Sequence, residues 1–217
     1  MELAQKQLMD NGWPDNNSNV NALIIIAHPD DETIFCGGVM LSFPKWNWTV
    51  VCVTTEQNTP RPQEFNKAIQ MYKDSGVNII SHLELNNADR NQDLSSKDRT
   101  DWENSIRELD IHPDIVLTHH KTHDYHRKHH IPIAEIASDL FDNVWETVYP
   151  GATKITAYAE RSKVKKVELN ADLLEKKRQI FDQCYQSQID VGIWTGDLSE
   201  LMKYEFEVGP EIFTRVE

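Results

Sequence analysis

Residues 27–38 read AHPDDETIFCGG, and residues 118–130 read THHKTHDYHRKHH. The first stretch packs His28, Asp30, Asp31 and Glu32 into five positions, and the second holds six of the nine histidines in the chain. Imidazoles and carboxylates together form the donor set of hydrolytic zinc and related divalent ions. Such sites commonly use three protein ligands and leave one position open. One histidine and one carboxylate from the first cluster, with one histidine from the second, would make such a set. The remaining acids and imidazoles would then be available for proton transfer and for stabilising developing charge. Each cluster alone has a plainer reading. HPDD is a good turn in which an Asp caps a helix, and a histidine tract can be solvated or bind metal adventitiously. The chemistry therefore depends on whether the fold brings the two clusters together.

Both clusters follow apolar runs. ALIIIA (22–27) reads as a first strand and WTVVCVTT (48–55) as a second. Residues 62–76 carry Phe65, Ile69 and Tyr72 at helical spacing and stop at Gly76. VNIISHLEL (77–85) is a third strand, and PDIVLTHH (113–120) is a fourth that runs into histidine. Helices are predicted over 95–112, opened by capping serines, over 131–148, and over 170–188 with Asn170 as cap. A later strand is predicted at 153–160, and strand and loop over 192–217. Strands that are apolar throughout, alternating with helices, predict an α/β fold: a single Rossmann-like domain with a mostly parallel sheet and helices on both faces. Residues 1–20 read as a polar lead-in and 21–217 as the domain. Ligands of such sheets bind beyond the carboxyl ends of the strands, which is where both polar clusters fall.

The chain has 217 residues, enough for one core, with an ordinary apolar fraction of 39%. A net charge of −13 opposes binding to nucleic acid and anionic membranes. No apolar run reaches the ~20 residues of a membrane span, and the opening residues lack the apolar core of a secretory leader, which predicts a cytoplasmic protein. Cys36, Cys52 and Cys184 are odd in number and far apart, so they suggest neither disulfides nor a metal site; Cys36 and Cys52 read as core residues.

In this order, AHPDDE after a first strand and PDIVLTHH with DYHRKHH after a later one resemble the PIG-L/LmbE-like zinc-dependent de-N-acetylases. The resemblance spans nearly the whole chain, with Arg61-Pro-Gln-Glu64 and Ser187-Gln188 matching two weaker family elements. It implies a Rossmann-like fold and removal of an acetyl group from an N-acetylglucosamine-type sugar or glycoconjugate, giving acetate and a free amine. It implies Zn2+ as cofactor, other divalent transition metals being possible with such ligands. The partner implied is a small amino-sugar substrate. His28, Asp31 and His129 match the family's metal ligands, with His130 and His123 close enough in sequence to shift that register. Asp30 matches its general base, His126 its oxyanion stabiliser, and Arg61 is the residue expected to bind substrate through its planar fork of donors. Two departures stand out. Lys128 occupies the position of a family acid, where a cation lowers the pKa of neighbouring imidazoles. TTEQ (54–57) lacks the family's glycine. The alternatives are an amidase for another small amide or thiol conjugate, a relative that binds metal or sugar without turnover, and a histidine-rich metal buffer.

Overall fold

A computed structural model describes residues 12–15, 19–87, 94–121, 128–148, 163–195 and 199–216. Among these residues the sheet has seven strands: β1 (Asn21–Ile26), β2 (Asn47–Thr54), β3 (Ile79–Asn87), β4 (Ile115–Thr118), β5 (Val144–Thr147), β6 (Val164–Val167) and β7 (Glu211–Arg215). Their order across the sheet is β3-β2-β1-β4-β5-β7-β6. The first five are parallel, and β7 runs antiparallel to both β5 and β6. The single α/β domain with a mostly parallel sheet is therefore as the sequence predicts.

The helices are α1 (Asp31–Ser42), α2 (Arg61–Asp74), α3 (Ser96–Arg107), α4 (His130–Leu140), α5 (Ala171–Cys184), α6 (Gln186–Asp190) and α7 (Ser199–Lys203), the last continuing into a π turn over Tyr204–Val208. Alternation along β1 sorts the core into two layers. Ala22, Ile24 and Ile26 join Phe65, Ile69 and Tyr72 of α2 and Ile180 and Phe181 of α5 on one face. Leu23 and Ile25 join Trp102 and Ile106 of α3 and Ile133 and Ile136 of α4 on the other. Cys36 and Cys52 are buried, as expected of core thiols.

The lead-in also feeds the core. Trp13 is fully buried, edge-on to Trp145 at 5.0 Å and in ring contact with Phe43, Trp46 and Phe213. Three expectations need correction. The helix predicted over 131–148 ends at Leu140, Phe141 is extended, and Val144–Thr147 pair in parallel with β4. Leu140, Val144 and Val148 recur at i+4, so helical spacing alone did not separate the elements; the β-branched and aromatic run VWET belongs to a strand. The helix predicted over 95–112 stops at Arg107, where Asp110 turns into the left-handed region ahead of Pro113. The segment 192–217 is strand only in β7; residues 199–208 are helix and π turn, and the rest of what is described there is turn and loop. The strand predicted at 153–160 lies outside the described residues.

Helix α1 is fixed from behind by a second charged group. Glu211 accepts hydrogen bonds from the backbone N–H groups of Gly38 and Val39, both at 2.6 Å, and its carboxylate meets Lys177 Nζ at 2.9 Å. Glu205 holds the same ammonium at 3.1 Å. A Cβ at Gly38 would lie 2.8 Å from Glu211 Oε1 and 2.4 Å from Leu169, so the paired glycines allow this approach. All three charged groups are buried. Burial opposes the charge of Lys177, but Glu211 and Glu205 outweigh it and raise its pKa.

Candidate active site

β1 and β4 are direct neighbours, with Ala22 opposite Ile115 and Ile25 opposite Thr118. This adjacency puts the HPDDE turn beside the histidines that follow β4. The strand ends are tied together. Thr118 Oγ1 donates to Ile25 O at 2.9 Å, Ala27 N–H donates to His119 Nε2 at 2.9 Å, and Thr54 Oγ1 donates to Ala27 O at 2.8 Å.

Asp31 is the focus of the site. Its Oδ2 accepts the His28 N–H at 2.8 Å and lies 3.3 Å from His28 Nδ1, 3.3 Å from His130 Nε2 and 3.4 Å from His119 Nε2. His28 Nδ1 and His130 Nε2 are themselves 3.3 Å apart. His119 and His130 stack with ring centroids 3.6 Å apart and planes at 16°. Burial penalises the Asp31 carboxylate, but His130 and His119 outweigh it and hold its pKa well below the ordinary range.

Ligand atoms of His28, Asp31 and His130 all lie within 4.8 Å of one another. One carboxylate and two imidazoles on three elements suit a first-row divalent ion. Of the expected ligands, His28 and Asp31 thus converge, and the third imidazole beside them belongs to His130. His129 Nδ1 contacts the other ring nitrogen of His28, Nε2, at 2.9 Å. The reason is a step at the head of α4: His129 is its N-cap and His130 its first helical residue, so their side chains leave in different directions. His126 lies outside the described residues. Lys128 is exposed.

Asp30 is buried but takes no part in that group. Its backbone has φ 125° and ψ −32°, a conformation glycine adopts far more readily. Its carbonyl accepts from Thr33 N–H and Ile34 N–H, both at 2.9 Å, and so starts α1. Its Oδ2 lies 3.2 Å from the Arg61 guanidinium, which also donates to Pro29 O. Burial pushes the Asp30 carboxyl up to about 7, with Arg61 pulling the other way. Arg61, expected at the substrate, is thus engaged with the turn itself. The motif elements R-x-x-E and SQ meet one another: Glu64 accepts from Ser187 N–H at 2.8 Å and Ser187 Oγ at 2.6 Å.

Sequence reasoning did not anticipate the contact of Glu32 with Tyr185. Glu32 is fully buried, and its Oε1 accepts from Tyr185 OH and from Thr33 Oγ1, both at 2.5 Å. Its Oε2 accepts from Asp30 N–H at 3.1 Å. Beside the site, buried Glu146 at the end of β5 lies 3.7 Å from His120 Nδ1, and burial pushes its carboxyl up to about 7. Among the described residues no helix is long and apolar enough to cross a membrane.

Known proteins share this arrangement of elements. An N,N'-diacetylchitobiose deacetylase from Pyrococcus horikoshii superposes with TM-score 0.60 at 20% identity, covering 93% of this chain and 87% of its own. A deacetylase of the teicoplanin biosynthesis pathway superposes with TM-score 0.63 at 13% identity, covering 91% and 99%. An uncharacterized protein of Acanthamoeba polyphaga mimivirus is 27% identical over 188 residues, 78% of this chain and 79% of that protein. The sequence profile described as GlcNAc-PI de-N-acetylase (PIG-L) matches residues 23–141, which run from β1 through the HPDDE turn and the histidine cluster to the end of α4. The chain belongs to the PIG-L family.

Proposed function

We propose that this protein is a divalent-metal-dependent hydrolase that removes the acetyl group from an N-acetylglucosamine-type sugar or glycoconjugate. The observation that carries this reading is the convergence of His28, His130 and Asp31, with the carboxylate of Asp30 set apart beside them. Membership of the family and the likeness to two deacetylases support the substrate class.

In this reading His28, Asp31 and His130 hold the metal, zinc being the ion such donors favour, with His129 orienting His28 through its second nitrogen. When bound, the metal supplies Lewis acidity to an amide carbonyl and acidifies a water molecule. Asp30 takes the proton from the water as it attacks the acetamide carbon. The C–N bond then breaks, and Asp30 returns that proton to the leaving amine, so acetate and a free amino sugar are released. His126 donates to the oxygen that gains negative charge. Arg61 keeps the Asp30 carboxylate in place through its grip on the turn.

The test is acetate release from N-acetylglucosamine and its short oligomers by zinc-loaded wild type beside Asp30→Ala. Release that disappears in the variant supports the reading. No release from wild type with one metal per chain would move the reaction to another amide or leave a binder without turnover. Several weakly held ions per chain would point to a metal buffer.

A further inference from the structure

Asp30 and Asp31 are adjacent, yet the reaction proposed above needs them to do different work. Asp31 must face three imidazoles while Asp30 stays clear of them. The backbone achieves the separation by placing Asp30 at φ 125°. A side chain in such a conformation is strained and persists only where its surroundings over-determine it. Glu32 is the side chain that holds its backbone N–H, while Thr33 and Ile34 N–H meet its carbonyl and Arg61 its carboxylate. A fully buried carboxylate is itself expensive unless every lone pair has a purpose. Here Oε2 receives the Asp30 N–H, and Oε1 receives Thr33 and Tyr185 hydroxyls. Tyr185 is fully buried at the junction of α5 and α6, 153 residues from Glu32. Two residues on, Ser187 ties the same junction to Glu64 in the first turn of α2, the helix opened by Arg61. An apolar residue would fill the place of Glu32 with less penalty if packing alone were at stake.

We infer that Glu32 and Tyr185 are positioning residues for Asp30: the chain Tyr185 OH to Glu32 to Asp30 N–H holds the base in its glycine-like conformation, apart from the metal-binding group. The inference rests on the reading of Asp30 as the proton acceptor.

Three variants test it: Glu32→Met, Glu32→Gln and Tyr185→Phe. Each is followed by its crystal structure, metal content, and kcat and KM for acetate release. In Glu32→Met the Asp30 backbone relaxes out of the φ 125° conformation, and kcat falls by roughly 10–100-fold while KM and the metal content hold. Glu32→Gln keeps both geometry and rate. Its amide oxygen can accept from Asp30 N–H, and the Tyr185 and Thr33 hydroxyls can turn to accept from its NH2. Tyr185→Phe lowers kcat by about three- to tenfold, again at constant KM. The inference is overturned if Asp30 keeps its conformation and kcat stays at the wild-type value in Glu32→Met. It is equally overturned if metal is lost in step with activity, or if Gln is as damaging as Met. Should Glu32→Met not fold, Tyr185→Phe decides by the same readouts, since it removes a single oxygen. Absence of acetate release from wild type would sink the proposed activity, whereas the position of Asp30 in the variant crystals would still decide whether Glu32 and Tyr185 hold it.

Discussion

Helix α1 carries two buried charged clusters, one at its head and one at its middle. At the middle, Glu211 and Glu205 close around Lys177, so the chain supplies its own cation and every partner is covalently present. At the head, Asp31 is ringed by His28, His119 and His130, groups that ligate a metal when neutral and carry charge only when protonated. The first arrangement is closed: an ammonium of fixed charge fills the space between its carboxylates. The second is adaptable, because each imidazole can give up a proton and offer a lone pair. A buried acid that faces an ammonium is cement, whereas a buried acid that faces imidazoles is half of a ligand set.

The comparison breaks most sharply at Asp30. Replacing it by Ala should cost about 10²–10⁴-fold in kcat while metal content is unchanged, as measured by acetate release and metal analysis. The middle cluster should answer in stability alone. Lys177→Met leaves two carboxylates buried without their cation and should lower the unfolding free energy by about 3–5 kcal/mol in denaturant titrations, with metal content unchanged in the folded fraction. Zinc should raise the stability of wild type by about 2.7 kcal/mol at a hundredfold excess over Kd. His130→Ala should abolish that gain and His129→Ala only reduce it; the reverse result would return the third ligand to His129.

The smallest effect concerns Glu146, a buried acid with a single imidazole, His120, 3.7 Å away. It accepts from the Lys121 backbone, and its Oε1 has no hydrogen-bond partner among the described residues. Burial lifts its carboxyl from 4.5 to about 7. The folded state therefore binds this proton more tightly than the unfolded chain. Its stabilising effect is complete below pH 4.5 and is lost as pH rises through about 7. Glu146→Gln should match wild type at pH 4 and exceed it at pH 8 by on the order of 2 kcal/mol, read from thermal unfolding at each pH.

Much of this was legible because the strands are apolar almost without interruption, so the residues that interrupt them stand out. HPDDE and the histidine tract could be placed at strand ends from composition alone, and the adjacency of β1 and β4 then made one site of two clusters. The choice between His129 and His130 was not legible. Both are histidine, and only the angle at which the chain enters α4 separates them. Nor could the pairing of Glu32 with Tyr185 be read, since no local pattern marks a contact across 153 residues. The strand β5 was misread because its apolar residues also fit a helix.

The pairing of β1 with β4 has a consequence for how the protein matures. His28 and His130 are 102 residues apart in the chain, and no shorter segment contains the three-residue candidate metal group. At ribosomal speeds of about 5–20 residues per second, the HPDDE turn is made some 5–20 s before the residue that completes the group. Until β4 docks, a nascent chain offers only a bidentate fragment, and closing so long a loop is an entropic cost met late in folding. An ion held by this group would thus not be a nucleus around which the chain folds. In the proposed reading it would be taken on by a domain already folded, once β4 has docked beside β1.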